Sequence, residues 1–543
     1  MESEDGAPSP AAFRPAAPYA GSTLAATRPI TNPSNLVTSL FPTNNGPAGP
    51  TPTGAEAGLI ATAASYPMQA HPDHLMGPAS LPKPASEDFD IFKYWGNLSP
   101  WYSVPSFGLD SSPLVPDGCR VTALHFLHRH GARYPTTSPD KSVGPAGLAG
   151  RLHDAVVAGK NWSASGELDF LNDWVWRLGA DILTPFGREQ MFKLGVDIRI
   201  KYGFLLNNFT ESQTLPVFRT ESQDRMRSSA ENFALGFFGE RAKEQYLASI
   251  TVEAHGFNNT LSPYYTCPNS FNATKAYRQN PVLKVWIPKY LKDTLPRIQN
   301  MLEGFELTYA DVFTMQTTCA YETVALGYSA FCGLFTQEEW EGFEYAWDIY
   351  FWYDSGWGSP TARGLGLGYV KELVARLTST PITTHDSTTN STLDDNPITF
   401  PLGNSLYVDA THETVVLNIL TALNLSSFTT TGPPPGDHIP ETRSFIASQV
   451  VPFGTNVQFQ VLACDATPDP QIRIILNDGV VPLEGLGECP YQKDGMCPVD
   501  IFVAAEKQVL QETDWSWACK GDWTIPPGTE WNTTTGDCPP RPA

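Results

Sequence analysis

The chain has 543 residues with 57 Asp and Glu against 35 Lys and Arg, a formal net charge of −22 and a pI near 4.8. Such a charge argues against nucleic acid or an anionic membrane surface as a partner. A hydrophobic fraction of 41% with 12% aromatics excludes a wholly disordered chain, and the length suits one enzyme with an inserted subdomain.

Residues from Met1 to about Ala85 are rich in Pro, Ala, Thr, Ser and Gly and read as disordered or loosely attached. Met1 to Ala20 carries Glu2, Glu4 and Asp5 with no apolar stretch, so it does not read as a signal peptide. No apolar run is long enough for a membrane span. Order is expected from Phe89, where Phe92, Tyr94, Trp95 and Trp101 supply anchors. Val121–Leu127 is a short apolar run suited to a buried strand. Thr184 as N-cap and Pro185 at the first helical position predict a helix to about Tyr202. Leu215–Phe218 reads as a second strand, followed by a helix through Ala230 to Phe237. In the helix-rich block that follows, Thr336 and Glu339 form a capping box before Trp340–Tyr350, and Thr361–Thr378 is another helix. Leu406–Ala410 is a third strand leading into a helix over Val415–Leu423, and Gln458–Cys464 and Gln471–Leu476 are further strands. The alternation predicts an α/β fold, with a central mixed sheet flanked by helices and a mainly helical cap inserted at about 240–395. The catalytic domain is then expected over 86–530, with a Pro- and Thr-rich tail over 531–543.

The nine cysteines form no CxxC pair and no cluster with His at zinc spacing, so neither a metal nor another cofactor is expected. The odd count leaves one over, and Cys538 in the tail is the expected spare. Glycosylation sequons recur at Asn97, Asn161, Asn208, Asn258, Asn272, Asn390, Asn424 and Asn532, with Pro100 weakening the first. Together with the cysteines they point to the secretory pathway, and to a secreted, cell-wall or vacuolar protein carrying N-linked glycans.

Hydrolysis of a phosphate monoester needs a nucleophile, fixed cations around the phosphoryl oxygens and an acid for the leaving alcohol. Arg129-His130-Gly131-Ala132-Arg133-Tyr134-Pro135 directly follows the first strand, and strand ends are where ligand sites form in α/β sheets. Guanidinium forks match phosphate oxygens, and Gly131 lets the backbone turn closely around an anion.

This RHGxRxP segment resembles the hallmark of the histidine acid phosphatases, and its flanks are similar to the fungal phytases and acid phosphatases. Tyr94-Trp-Gly-Asn-Leu-Ser-Pro100, Leu183-Thr-Pro-Phe-Gly187, Phe331-Cys-Gly-Leu-Phe-Thr336 and Glu372-Leu-Val-Ala-Arg-Leu377 extend the resemblance over about Phe89 to Lys520. It implies a phosphoglycerate mutase-like fold and a phosphomonoesterase acting at acidic pH on phytate or other small phosphorylated substrates. His130 would be the nucleophile, with Arg129, Arg133, Arg219 and His412 holding the phosphoryl oxygens. In the matching segment Pro216–Arg225, Arg219 at the strand end is the expected third arginine, while Arg225 and Arg227 read as surface charge on the following helix. The family uses a His-Asp pair after a late strand as its acid. His412-Glu413 has that setting, with Glu in place of Asp; His385-Asp386 sits in a Thr/Ser-rich stretch with no strand before it. The resemblance also implies the disulfides Cys119–Cys464, Cys267–Cys519, Cys319–Cys332 and Cys489–Cys497.

Two other readings compete. A phosphoglycerate mutase shares the RHG chemistry but predicts a smaller cytosolic chain without sequons. A catalytically weak or dead homologue acting as a secreted binding or cell-wall protein is suggested by Glu413 and the long N-terminal segment. Within the enzyme reading, phytate calls for extra lysines near the site. Only Lys141 follows Arg133, which favours broader specificity unless Lys275, Lys284 or Lys289 of the cap compensates.

Overall fold

The structure, a computed structural model, describes residues 33–42, 75–137, 144–525 and 533–542. Its strands are β1 (Cys119–Arg129), β2 (Val217–Glu221), β3 (Leu247–Thr251), β4 (Leu406–Thr411), β5 (Asn456–Cys464), β6 (Thr467–Leu476), β7 (Gly479–Val481) and β8 (Met496–Pro498). They form one mixed sheet in the order β8-β6-β5-β1-β4-β2-β3, with β7 on β6. The run β1, β4, β2, β3 is parallel, and β5 joins β1 antiparallel. The longer helices are α1 (Gly144–Val157), α2 (Pro185–Tyr202), α3 (Asp224–Phe238), α4 (Gln279–Tyr290), α5 (Tyr309–Leu326), α6 (Gln337–Asp354), α7 (Ala362–Thr378), α8 (Glu413–Ala422) and α9 (Val499–Glu512).

β1 is buried on both faces along its second half, which is why it reads as an unbroken apolar run. Leu124 and Phe126 pack with Met191, Ile198, Phe233 and Phe237 of α2 and α3. Leu127 packs with Val415 and Ile419 of α8, Tyr369 of α7 and Phe502 of α9 on the opposite face. Burying a side chain such as Phe126 stabilises by about 1.5–3 kcal/mol. Local signals hold well here: the Thr184 hydroxyl accepts from the Gly187 N–H, and the Thr336–Glu339 capping box is formed in both directions. The second strand lies slightly later than expected, at β2.

The helical part differs from the expected insertion at 240–395. β3 belongs to the main sheet, and α7 packs on α8 and α9 in the layer against that sheet. Moreover, α1 packs on α5, Arg151 pairs with Asp311, and Ser163–Ala164 pairs with Leu302–Glu303. The helical part is therefore assembled from two separate stretches of chain. Sequence periodicity reports that a helix has a buried face, but not which surface buries it.

The N-terminal segment is also not uniformly loose. Phe41 packs with Leu215, Val217 and Leu247, and the Asn35 side chain bonds both backbone groups of Leu215. Leu75 is buried, and the Met76 N–H donates to the Gly327 carbonyl. Residues 1–32 and 43–74 lie outside the described residues. In the tail, Gly536 bonds Trp357 and Arg363 through the backbone, and Arg363 pairs with Asp537.

The four expected disulfides are present and Cys538 is a free thiol. No helix among the described residues is long and apolar enough to cross a membrane. The sequon asparagines Asn161, Asn208, Asn272 and Asn424 are exposed, Asn258 and Asn390 are half-buried, and Asn97 is buried. Asn532 is outside the described residues.

Candidate active site

The parallel strands β1, β4 and β2 all deliver side chains at their carboxyl ends. Arg129 closes β1 and His130 follows it; His412 is the N-cap and Glu413 the first residue of α8, immediately after β4. Glu221 ends β2, and Arg225 lies in the first turn of α3.

The loop after β1 is pinned from both sides. The Gly454 N–H donates to the His130 carbonyl, the Ala132 N–H donates to Gln190 of α2, and the Gly131 N–H to Ser229 of α3. Gly131 also serves a purpose that the sequence did not show. A Cβ there would lie 2.2 Å from the Gly187 carbonyl oxygen, so the glycine permits two backbones to touch.

His130 is fully buried, and its Nδ1 lies 2.8 Å from the Gly131 carbonyl oxygen. A carbonyl only accepts, so Nδ1 carries the proton and Nε2 keeps its lone pair. Burial lowers the proton affinity of the ring well below the usual histidine range; Glu413 opposes this, and Arg129 and Arg225 reinforce it. The imidazole is thus neutral and nucleophilic at Nε2, which lies 3.2 Å from Glu413 Oε2.

Around this atom stand the cations. Arg129 reaches Glu413 Oε2 at 3.0 Å and the carbonyls of Asn97 and Val451 at 2.6 and 2.7 Å, with its guanidinium over the Phe453 ring. Its NH2 has no partner among the described residues. Arg133 donates to the Tyr134 carbonyl and the Tyr321 hydroxyl and lies 3.8 Å from Glu413 Oε1. Burial acts to raise the pKa of Glu413, but Arg129, with Arg133, holds it well below the usual carboxylate range.

Arg219, expected as the third phosphate arginine, does not join this cluster. Its guanidinium is committed to Asp409 at 2.6 Å and Glu372 at 2.7 Å, and Arg376 completes the network on Asp409. The arginine that acts electrostatically on His130, Arg133 and Glu413 is Arg225, not the surface charge expected from the sequence. No ion pair involves Arg225 among the described residues. Arg227 fits the surface reading, pairing with Glu231 one helical turn on. The strand-end position of Arg219 was a sound local signal. Its partners come from residues 153 and 190 positions away in the chain and were invisible in sequence.

His412 points its Nε2 at two carboxylates, Glu221 at 3.0 Å and Glu253 at 3.2 Å. Asn97 is a further residue that sequence reasoning missed: its Nδ2 lies 3.4 Å from Glu413 Oε1 and its carbonyl accepts from Arg129. Its burial takes it out of reach as a glycan acceptor. His385 and Asp386 do not enter the site; they pair with Asp395 and Lys371 at the surface. Lys275 is buried against Gly521, Asn269 and Trp523, while Lys284 and Lys289 are exposed on α4. Lys141 lies outside the described residues.

Two sets of side chains bring potential metal-ligating atoms within 4.8 Å of one another: His130, His412 and Glu413, and Glu221, Glu253 and His412. The first set faces three guanidinium groups, whose field opposes a cation and favours an anion. The site is thus an anion cradle holding a neutral nucleophilic imidazole and a carboxyl beside it.

Comparison with known proteins agrees with this chemistry. The family model of the histidine phosphatase superfamily (branch 2) matches residues 120–477. Phytase A of Aspergillus oryzae is 33% identical over 441 residues, covering 78% of this chain and 89% of the relative. Phytase A of Emericella nidulans is 35% identical over 430 residues, covering 76% and 88%. The crystal structure of the phytase from D. castellii superposes with a TM-score of 0.63 at 24% identity, covering 82% of this chain and 91% of the other, which supports the fold. With the matched model spanning most of the chain and the RHGARYP loop at the carboxyl end of its central strand, this protein belongs to the histidine phosphatase superfamily, branch 2.

Proposed function

We propose that the chain hydrolyses phosphate monoesters, phytate among them, through a phosphohistidine on His130. The observation that carries this reading is the neutral His130 Nε2 lone pair, set among Arg129, Arg133 and Arg225 with Glu413 3.2 Å away. Phytate is chosen because the relatives that cover most of this chain bear the name Phytase A.

Glu413 sits on the cations that a phosphoryl group would use. An entering monoester takes Arg129 and Arg133 from it, and the carboxylate, relieved of its counter-charges and facing a new anion, gains proton affinity. Its proton arrives with the monoanionic ester. His130 Nε2 then attacks phosphorus in line, the bond from phosphorus to the leaving oxygen breaks, and Glu413 protonates that oxygen. Water, giving its proton back to Glu413, attacks the phosphohistidine and releases phosphate as the P–N bond breaks. Arginines hold the equatorial oxygens throughout and supply the positive charge that phosphoryl transfer requires.

A nucleophile, an acid and three cations in one pocket argue against a purely binding role. The four disulfides and exposed sequons support passage through the secretory pathway, with glycans on Asn161, Asn208, Asn272 and Asn424.

The test is turnover of phytate and p-nitrophenyl phosphate by the purified protein, with acid quench and mapping of the trapped phosphate. The expected label is on His130, and His130→Ala is expected to abolish both activities while the protein stays folded. A label on another residue, or turnover surviving His130→Ala, overturns the reading.

A further inference from the structure

The phosphatase resemblance gives His412 the role of a phosphate ligand, and two buried carboxyl groups stand behind it. Glu221 ends β2 and Glu253 lies two residues past the adjacent strand β3, and both approach the same ring nitrogen, Nε2, at 3.0 and 3.2 Å. Both side chains are almost wholly buried. Glu221 also lies 3.4 Å from the Thr411 hydroxyl, and Glu253 accepts from the Tyr264 hydroxyl at 2.8 Å. No hydrogen bond reaches Nδ1 of His412 among the described residues. Its ring stands edge-on to that of His130, with centroids 5.7 Å apart.

We propose that Glu221 and Glu253 act as a positioning pair, sharing one proton between them, that holds His412 as an imidazolium with Nδ1–H turned toward the phosphoryl group. The inference rests on the phosphatase reading for the role of His412, while the state of the pair is independent of turnover.

Two carboxylates this close do not both stay ionised in a buried site, so one proton is retained and the pair bears a single negative charge. That charge is matched by the imidazolium. Burial alone would drive His412 neutral, yet Glu221 and Glu253 push its pKa up to about 9. The other groups that face it are His130, which is neutral, Glu413, which is the next residue, the Tyr264 hydroxyl, and Arg225, whose charge is felt by Glu253. A bare histidine buried beside arginines would lose its proton in the neutral range, and with it a donor to phosphate.

The shared charge makes a distinctive prediction. Glu221→Gln leaves Glu253 to ionise, and Glu253→Gln leaves Glu221 to ionise, so each single variant keeps His412 cationic at pH 7.5. Only the double variant Glu221→Gln/Glu253→Gln removes the charge; it also leaves no buried anion unpaired, so it is expected to fold.

The experiment is a nuclear magnetic resonance titration of histidine side chains, assigned with His412→Asn, alongside binding of inorganic phosphate at pH 7.5 by the wild type, each single variant and the double variant. In the double variant His412 is expected to titrate at least about two units lower than in the wild type, and in each single variant to stay cationic at pH 7.5. Phosphate binding at pH 7.5 is expected to weaken about tenfold in the double variant and by less than about threefold in either single variant. A double variant in which His412 still titrates near the wild-type value, or a single variant that weakens phosphate binding as much as the double variant, overturns the proposal. Neither readout uses catalysis, so failure of the phosphatase reading would appear separately, as absent turnover in the wild type.

Discussion

Arg219 and Arg225 lie six residues apart and have opposite fates, which mutation separates. Arg225→Ala removes a cation from the phosphate cradle and is expected to lower kcat/KM by about 10²-fold with little change in melting temperature. Arg219→Ala strands Glu372 and weakens the hold on Asp409 in a buried network. It is expected to cost about 3–5 kcal/mol, read as a lowered melting temperature, before any effect on chemistry. A selective loss of turnover in Arg219→Ala, with stability unchanged, would reverse these roles. Glu413 gives the pH dependence. Arg129 and Arg133 hold its carboxyl ionised, so the proton for the leaving group is expected to arrive with the substrate. A phosphate monoester has its second pKa near ~6, and kcat/KM is expected to fall steadily as pH rises above that value. Glu413→Gln is expected to slow alkyl phosphates by about 10²-fold or more, and p-nitrophenyl phosphate far less, because that leaving group hardly needs a proton. Equal losses on both substrates would remove Glu413 from the role of acid.

The loop after β1 depends on the start of α2, which it touches through glycine on both sides. Gly131 meets the Gly187 carbonyl, and a Cβ on Gly187 would lie 1.9 Å from the Ala132 carbonyl oxygen. Backbone cannot yield as a flexible side chain can, so Gly131→Ala is expected to push the loop away from the start of α2. It should lose both stability, by about 1–3 kcal/mol, and most activity, since a shift of about 1 Å at a nucleophile costs about 10²-fold. Thermal melts and kcat measured on the same preparation check this; a variant with wild-type kcat would show that the contact is not needed. At this scale much was legible in sequence. Thr184-Pro185 and Thr336-x-x-Glu339 mark helix starts through backbone groups they cap themselves, and the apolar run into Arg129 marks a strand buried on both faces. The path of α1 and Ser163–Ala164 into the helical part was not legible, because their partners, α5 and Leu302–Glu303, lie more than a hundred residues away.

The whole molecule is closed by long-range covalent ties. Cys119–Cys464 joins β1 to β5 at a register pair, and Cys267–Cys519 spans 252 residues. In the loop-entropy picture each such bond stabilises by about 5–6 kcal/mol, so reduction is expected to lower the melting temperature strongly. Peptide mapping should recover the four bonds with Cys538 free; a reduced protein equally stable to heat would show that the ties are redundant.

The sequence by itself located the RHGARYP loop after β1, the α/β class, the strand-to-helix turn that carries His412-Glu413 and, through resemblance, the cysteine pairing. Each of these rests on residues adjacent in the chain or on a pattern carried by the family. Tertiary structure alone decided which arginine faces His130, that Asn97 lies beneath Glu413 instead of on the surface, and that Glu221 and Glu253 stand behind His412. The physical reason is common to all three. Whether a charged or polar side chain binds substrate or is neutralised inside the fold depends on which opposite charges the sheet order brings beside it. That order places β4 between β1 and β2, although almost two hundred residues separate β2 from β4 in sequence.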